Sequence, residues 1–224
     1  MEFLIYILLL GLLSSCQGFY VPGVAPVEFK IGSQVEIKAV KMTSSLTQLP
    51  YDYYTLPFCR PPQGTVYKTE NLGEILRGDR IVNTAYNIEM NVNNTCSVVC
   101  NNKETPNVWS DEESDDAINK INREYYIHFI LDNLPAATKF QHLETKESVY
   151  ERGFRLGYVS KDNTPILYNH LNFILSYHTD DNEKYRIVGF EVDPQSIALE
   201  DIQVTNGKCS IPKNFNKQEL KLKG

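Results

Sequence analysis

Beyond its first eighteen residues, the chain has no apolar run near the roughly 20 residues needed to cross a bilayer, so nothing after that leader reads as a transmembrane helix. It has no G-x-S-x-G elbow, no pair of histidines one helical turn apart and no Gly-rich phosphate loop. Those gaps argue against serine hydrolases, helix-borne zinc hydrolases and nucleotide-binding folds. Positive charge is scarce too: 22 Lys and Arg stand against 28 Asp and Glu, and a net charge of −6 suits a nucleic-acid binder poorly. The acidic run Asp111–Asp116 lacks the spaced D-x-[DN]-x-[DN]-G pattern of a calcium loop, and reads as a solvated helix start. Paired glycosidase carboxylates leave no local signature. The residues therefore predict a non-enzymatic protein with no cofactor and no metal.

What is present is a leader, tyrosine and cysteine. Phe3 to Leu13, "FLIYILLLGLL", is the length of a secretory h-region, and small Gly18 marks the expected cleavage. The "LSSC" ending at Cys16 looks like a lipoprotein box, but the n-region carries Glu2 and no basic residue. The domain reading is a signal peptide over 1–18 and one unit over 19–224. Four cysteines then remain: Cys59, Cys96, Cys100 and Cys209. An even count behind a signal reads as two disulfides in an oxidising compartment, with three pairings open. The C-x3-C spacing of Cys96 and Cys100 is the competing zinc reading, but no histidine stands at ligand spacing. "NNT" makes Asn93 an N-glycosylation acceptor.

The 14 Tyr and 10 Phe suit pleated surfaces, and period-2 alternation dominates. It runs through 35–42, where Val35, Ile37 and Ala39 give way to Val40 and Met42 as across a bulge. It continues in 86–92 (Tyr86, Ile88, Met90, Val92) and 125–132 (Tyr125, Ile127, Phe129, Leu131). Further segments are 154–159, 171–178 and 185–192, the last shifting register at Gly189. Two short helices are expected: 71–78, opened by Asn71 and closed by Gly78, and 110–126, with an acidic first turn and Ile118 and Ile121 inward. The fold class is all-β: an antiparallel β-sandwich with two short helices, held by disulfides. Lone His128, His142, His170 and His178 read as structural, with luminal pH sensing as the minority reading.

"YDYYTLPFCRP" at 51–61 crowds Tyr51, Tyr53 and Tyr54 beside Pro57, Phe58, Cys59 and Arg60, as a ligand cage would. On an extended chain, however, Tyr51 and Tyr53 face one side and Tyr54 the other. Packing is the better reading.

Several long blocks then stand in a fixed order: "FYVPGVAPVEF", "VEIKAVKMTSSLTQLPYDYYTLPFCRP", "ENLGEILRGDRIVNT", "YYIHFILDNLPAATK", "RGFRLGYV", "NHLNFILSYH" and "YRIVGFEVDPQSIALED". In that order the chain resembles the luminal amino-terminal domain of the transmembrane 9 superfamily, the nonaspanins, from Phe19 to about Asp201. The resemblance implies a luminal β-domain ahead of nine membrane spans, in a protein of endosomes and Golgi that reaches the cell surface in some settings. It implies a role in sorting and localising other membrane proteins, with adhesion and phagocytosis in some lineages. It supplies no catalytic residue, and its partners would be membrane-protein cargo. The four cysteines sit where the family's luminal cysteines sit. The resemblance also implies that the sequence stops short of the membrane region. The alternative is a stand-alone secreted sandwich that binds glycan or protein, with exposed tyrosines as anchors.

Overall fold

The computed structural model describes residues 27–68, 76, 79–100, 109–142, 144–180, 183–197, 203–205 and 208–210. The leader with Gly18, the expected 71–78 helix apart from exposed Leu76, and the segment after Ser210 lie outside the described residues.

The strands are β1 (Gln34–Thr43), β2 (Tyr67–Lys68), β3 (Ile81–Glu89), β4 (Tyr126–Leu131), β5 (Leu134–Pro135), β6 (Ala137–Gln141) and β7 (Ser148–Arg152). They continue as β8 (Phe154–Arg155), β9 (Gly157–Val159), β10 (Pro165–Leu167), β11 (His170–Thr179), β12 (Tyr185–Gln195), β13 (Gln203–Thr205) and β14 (Lys208–Ser210). One α-helix, α1 (Asp111–Asn122), lies between β3 and β4. The first large sheet runs β2-β3-β1-β4-β5, with β8 also on β4; the second runs β11-β12-β6-β7; β9 with β10 and β13 with β14 form two-stranded sheets. Tyr86 of the first sheet packs edge-on against Phe173 of the second at 5.3 Å. Ile37, Phe129, Phe190 and Val192 fill the same core from both sides. This is the expected all-β sandwich, with one departure: β12 meets β6 in parallel, at Glu191 and Ala137.

The β1 bulge is present, but the lasting face change is not. Val35, Ile37, Ala39 and Met42 all enter the main core, while Val40 alone turns to the other face beside Ile81 and Ile130. The extra residue absorbs the slip and restores the pattern. β4 follows its alternation closely, with Tyr125, Ile127, Phe129 and Leu131 all buried. It turns into β5 through Asp132 (φ 48°) and Asn133 (φ 62°), the left-handed pair that a two-residue type I′ hairpin requires. The strand expected over 86–92 instead spans 81–89 and ends before half-exposed Val92. Segment 154–159 is two strands, β8 on β4 and β9 on β10, separated at Leu156. At the 185–192 site, Ser176 pairs with Gly189 and Tyr177 with Ile187, so Val188 is the extra residue.

Helix α1 begins where the Ser110 hydroxyl accepts from the Glu113 amide and the Glu113 carboxylate accepts from the Ser110 amide, a capping box. It stops at Glu124 (φ 51°), where Glu124 N bonds Ile121 O and Tyr125 N bonds Lys120 O, as in a Schellman motif. Its inward face is Ser114, Ala117, Lys120 and Ile121; Ile118, expected inward, is only half-buried.

Candidate binding surface

The tyrosine-rich stretch is packed. Tyr51 exchanges backbone hydrogen bonds with Met42, and a 3-10 turn at Tyr53–Thr55 then drives Tyr53 into the core. Its ring stacks on Phe58 at 4.5 Å and meets Phe129 edge-on at 5.4 Å, while Trp109 closes on Phe58 at 6.1 Å. Tyr54 donates its hydroxyl to Asn83 O at 2.9 Å, and Arg60 covers its ring at 5.0 Å. Desolvation pushes the Tyr54 phenol up to about 12, and burial likewise raises that of Tyr53 well above its ordinary value. Tyr51 does hold a cation, but the cation is the protein's own: Lys120 Nζ lies 4.2 Å above the ring and 2.5 Å from Asp116. At 3% exposure, Lys120 fills the place a ligand would take. Spacing alone did not reveal a buried lysine on the inward face of α1.

His128 sits on the side of β4 opposite its core residues, with Nε2 2.6 Å from Thr43 Oγ1. Burial, then the charges of Arg152 and Lys41, depress its pKa to about 4 against a small opposing pull from Asp79. It therefore stays neutral in mildly acidic lumens, which argues against an acid-sensing role for this residue. The same shift makes stability depend on pH. Above 6.5 both folded and unfolded chains carry a neutral ring; between 6.5 and 4 only the unfolded chain takes up the proton, so stability falls as pH falls through that window. We expect a loss of about 2 kcal/mol by pH 4, below the ceiling set by the full shift because the ring is partly exposed. Urea melts of His128→Gln at pH 7 and pH 4.5 should show a flatter pH response than the parent, and equal slopes would exclude His128 as the source. His170 and His178 lie on the edge strand β11, and exposed His142 follows β6.

The cysteines pair as Cys59–Cys100 and Cys96–Cys209, with Cα atoms 5.6 and 5.0 Å apart. A bridge between Ser97 and Lys208 and a hydrogen bond from Cys209 N to Cys96 O dock the β13–β14 hairpin on the same loop. Asn93, three residues before Cys96, is exposed, as a glycan acceptor must be. Among the described residues, no three His, Cys, Asp or Glu side chains converge as a metal site would require.

The surface that the sequence reading missed is the β6–β7 hairpin. It joins the second sheet at Ala137 and continues beyond it, pairing Phe140 with Val149 and Lys139 with Tyr150. Every residue of β7 is exposed, and Phe140 (43%), Val149 (49%) and Tyr150 (53%) show large apolar area. Phe140, Gln141, His142, Glu144 and Val149 line a shallow depression of 470 Å³ near its tip. The short runs "TKFQ" and "SVYE" around a polar loop were the available signal. Aromatic groups on a projecting hairpin can bind an apolar or aromatic protein segment without any chemistry.

Comparison with known proteins places the chain in a family. The model of the family "Endomembrane protein 70" matches residues 50–223. Transmembrane 9 superfamily member 4 of Rattus norvegicus is 47% identical over 226 residues, covering 93% of this chain and 35% of that protein. The Homo sapiens member 4 is 46% identical over 225 residues, covering 94% and 35%. Member 9 of Arabidopsis thaliana is 40% identical over 205 residues, covering 87% and 31%. The chain thus spans about a third of the length of the curated relatives it matches. No solved structure matches it.

Proposed function

The chain belongs to the Endomembrane protein 70 family, the transmembrane 9 superfamily, and from that premise we propose that it forms the luminal domain of a multi-spanning membrane protein of Golgi and endosomes. In this reading it helps to sort and localise other membrane proteins, and it acts by binding and not by catalysis. The leader and domain readings belong to the same proposal: a signal peptide over 1–18 and a luminal unit over 19–224. Family membership carries the assignment. The two disulfides and the exposed Asn93 sequon accord with a glycosylated domain in an oxidising lumen. The exposed aromatics of the β6–β7 hairpin give it a surface for cargo.

The test replaces the endogenous protein in cells with a Phe140→Ser, Tyr150→Ser variant and compares the surface proteome with parent and null cells. A subset of membrane proteins should lose surface abundance by about tenfold in the null and by several-fold in the variant, the loss expected when a few interface anchors are removed. A null cell with an unchanged surface proteome would refute the sorting role. A variant indistinguishable from the parent, where the null has an effect, would refute the hairpin as its surface.

A further inference from the structure

The two margins of the second sheet differ in how they are protected. β7 is five residues long and carries Glu151 and Arg152. β11 is ten residues long, "HLNFILSYHT", with no proline and no Lys, Arg, Asp or Glu. Long edges without such guards invite another strand. Among the described residues nothing pairs with the outer side of β11.

The backbone groups that face outward follow from the ladder. Tyr185 exchanges both backbone hydrogen bonds with Phe29, on the side away from β11. Its partner Thr179 therefore directs its own N–H and C=O toward the open edge. By the two-residue alternation, so do Tyr177, Leu175, Phe173 and Leu171. The shift at Val188 lies on β12 and leaves this parity on β11 unchanged.

We propose that β11 pairs antiparallel with β11 of a second copy of this chain, about a two-fold axis at Ile174, to give a continuous eight-stranded sheet. The open backbone fits that register. Leu171 meets Tyr177 of the second copy and Phe173 meets Leu175 of the second copy, all four being residues whose hydrogen-bonding groups point outward. Between them fall the closer, non-hydrogen-bonded pairs: His170 with His178 of the second copy, Asn172 with Ser176 of the second copy, and Ile174 with itself. On the outer face the strand reads His, Asn, Ile, Ser, His, nearly the same from either end. A two-fold contact requires such self-complementarity, whereas an unrelated strand gains nothing from it. With no Lys, Arg, Asp or Glu on β11, no two ammonium, guanidinium or carboxylate groups of like sign meet across the axis.

One strand pairing buries less surface than a standard interface, so the dimer should be weak, with Kd of about 10–100 µM. The full chain, expressed through the secretory pathway, is studied by sedimentation equilibrium over a range reaching above that Kd. Ile174→Lys, at a half-exposed site, sets two ammonium groups face to face and should weaken dimerisation by about tenfold or more. Ile174→Cys should oxidise to a covalent dimer, because Cα atoms of a non-hydrogen-bonded pair lie about 4.5 Å apart, within disulfide reach. Val188→Cys, exposed on the neighbouring strand, should cross-link far less. A chain that remains monomeric throughout, a dimer that Ile174→Lys leaves intact, or equal cross-linking of the two cysteine variants would each overturn the proposal. Capture of an unrelated extended peptide by a monomeric chain would overturn it as well.

Discussion

Gly157→Ala is expected to cost about 3–5 kcal/mol, enough to prevent accumulation of the folded domain. A β-carbon at Gly157 would stand 2.1 Å from the carbonyl oxygen of Ile166 and 3.0 Å from Cδ1 of Ile121. The first contact is with the backbone of the paired strand β10, so no rotamer change relieves it. The second is with the inward face of α1, whose Ile121 is itself buried. Either β9 and β10 separate or the helix lifts from the hairpin, and both exclude Ile166, now fully buried, from its present packing. Overpacking of a soft side chain costs about 1–3 kcal/mol, and a rigid carbonyl puts this case above that range. The measurement is the urea midpoint of the purified chain, or the secreted yield where no folded protein is recovered. Gly32→Ala is the control: its added carbon meets nothing within 4 Å, and its φ of 73° should cost only about 1 kcal/mol. A Gly157→Ala midpoint equal to that of the control would show that the β9–β10–α1 contact is far softer than its geometry indicates.

The second large effect belongs to Cys96–Cys209. Replacing both residues by serine should remove about 2–4 kcal/mol, because the bond closes a loop across a sequence separation of 113. Cys59–Cys100 closes a separation of 41, and on chain entropy alone its loss should cost about 1 kcal/mol less. The two double variants therefore have a predicted rank order. The Cys96 and Cys209 replacement should also raise amide exchange across β13 and β14, which are tied to the body by the Ser97–Lys208 bridge. Equal stability of the parent and this double variant would show that the unfolded chain is already restrained by other means.

Much of the fold was legible because burial on one face of a strand imposes a period of two. β4 kept that period up to Ile130, which is buried beside Leu131, and in β11 Leu171, Phe173 and Leu175 pack on the core while Ile174 is exposed; the fold class followed from such segments. The legible part ended where an outcome depended on distant partners. The three cysteine pairings were equivalent in sequence, and only the fold that brings 96–100 between Cys59 and Cys209 selects one. Val40 looked like the start of a new face because a bulge and a face switch begin identically; the position of Met42 distinguishes them. The inward turn of Lys120 was hidden because a lysine at helical spacing ordinarily reaches solvent, and its burial needs both Asp116 and the Tyr51 ring. The β6–β7 hairpin was missed for the opposite reason. Its apolar residues are exposed, so they lack the one-sided pattern that burial writes into a strand. The tyrosines of 51–61 do pack, as expected, but not by the opposed directions of an extended chain: the 3-10 turn at Tyr53–Thr55 sets Tyr51, Tyr53 and Tyr54 against one core.

The two disulfides share the short stretch from Cys96 to Cys100, and this sets how the domain carries tension. A pull on the chain at Ser210 enters at Cys209, crosses to Cys96, runs along four peptide bonds to Cys100 and crosses again to Cys59. Residues 60–95 and 101–208 hang from that covalent short-cut as slack loops. They contain α1, β2 and β3, and every strand from β4 to β13. Only the segment before Cys59, with β1, lies in series with the force. A molecule pulled between its amino-terminal segment and Ser210 can therefore lengthen by little more than that first segment, and the load falls on β1 and on Tyr51, Tyr53 and Phe58, which that segment lends to the core.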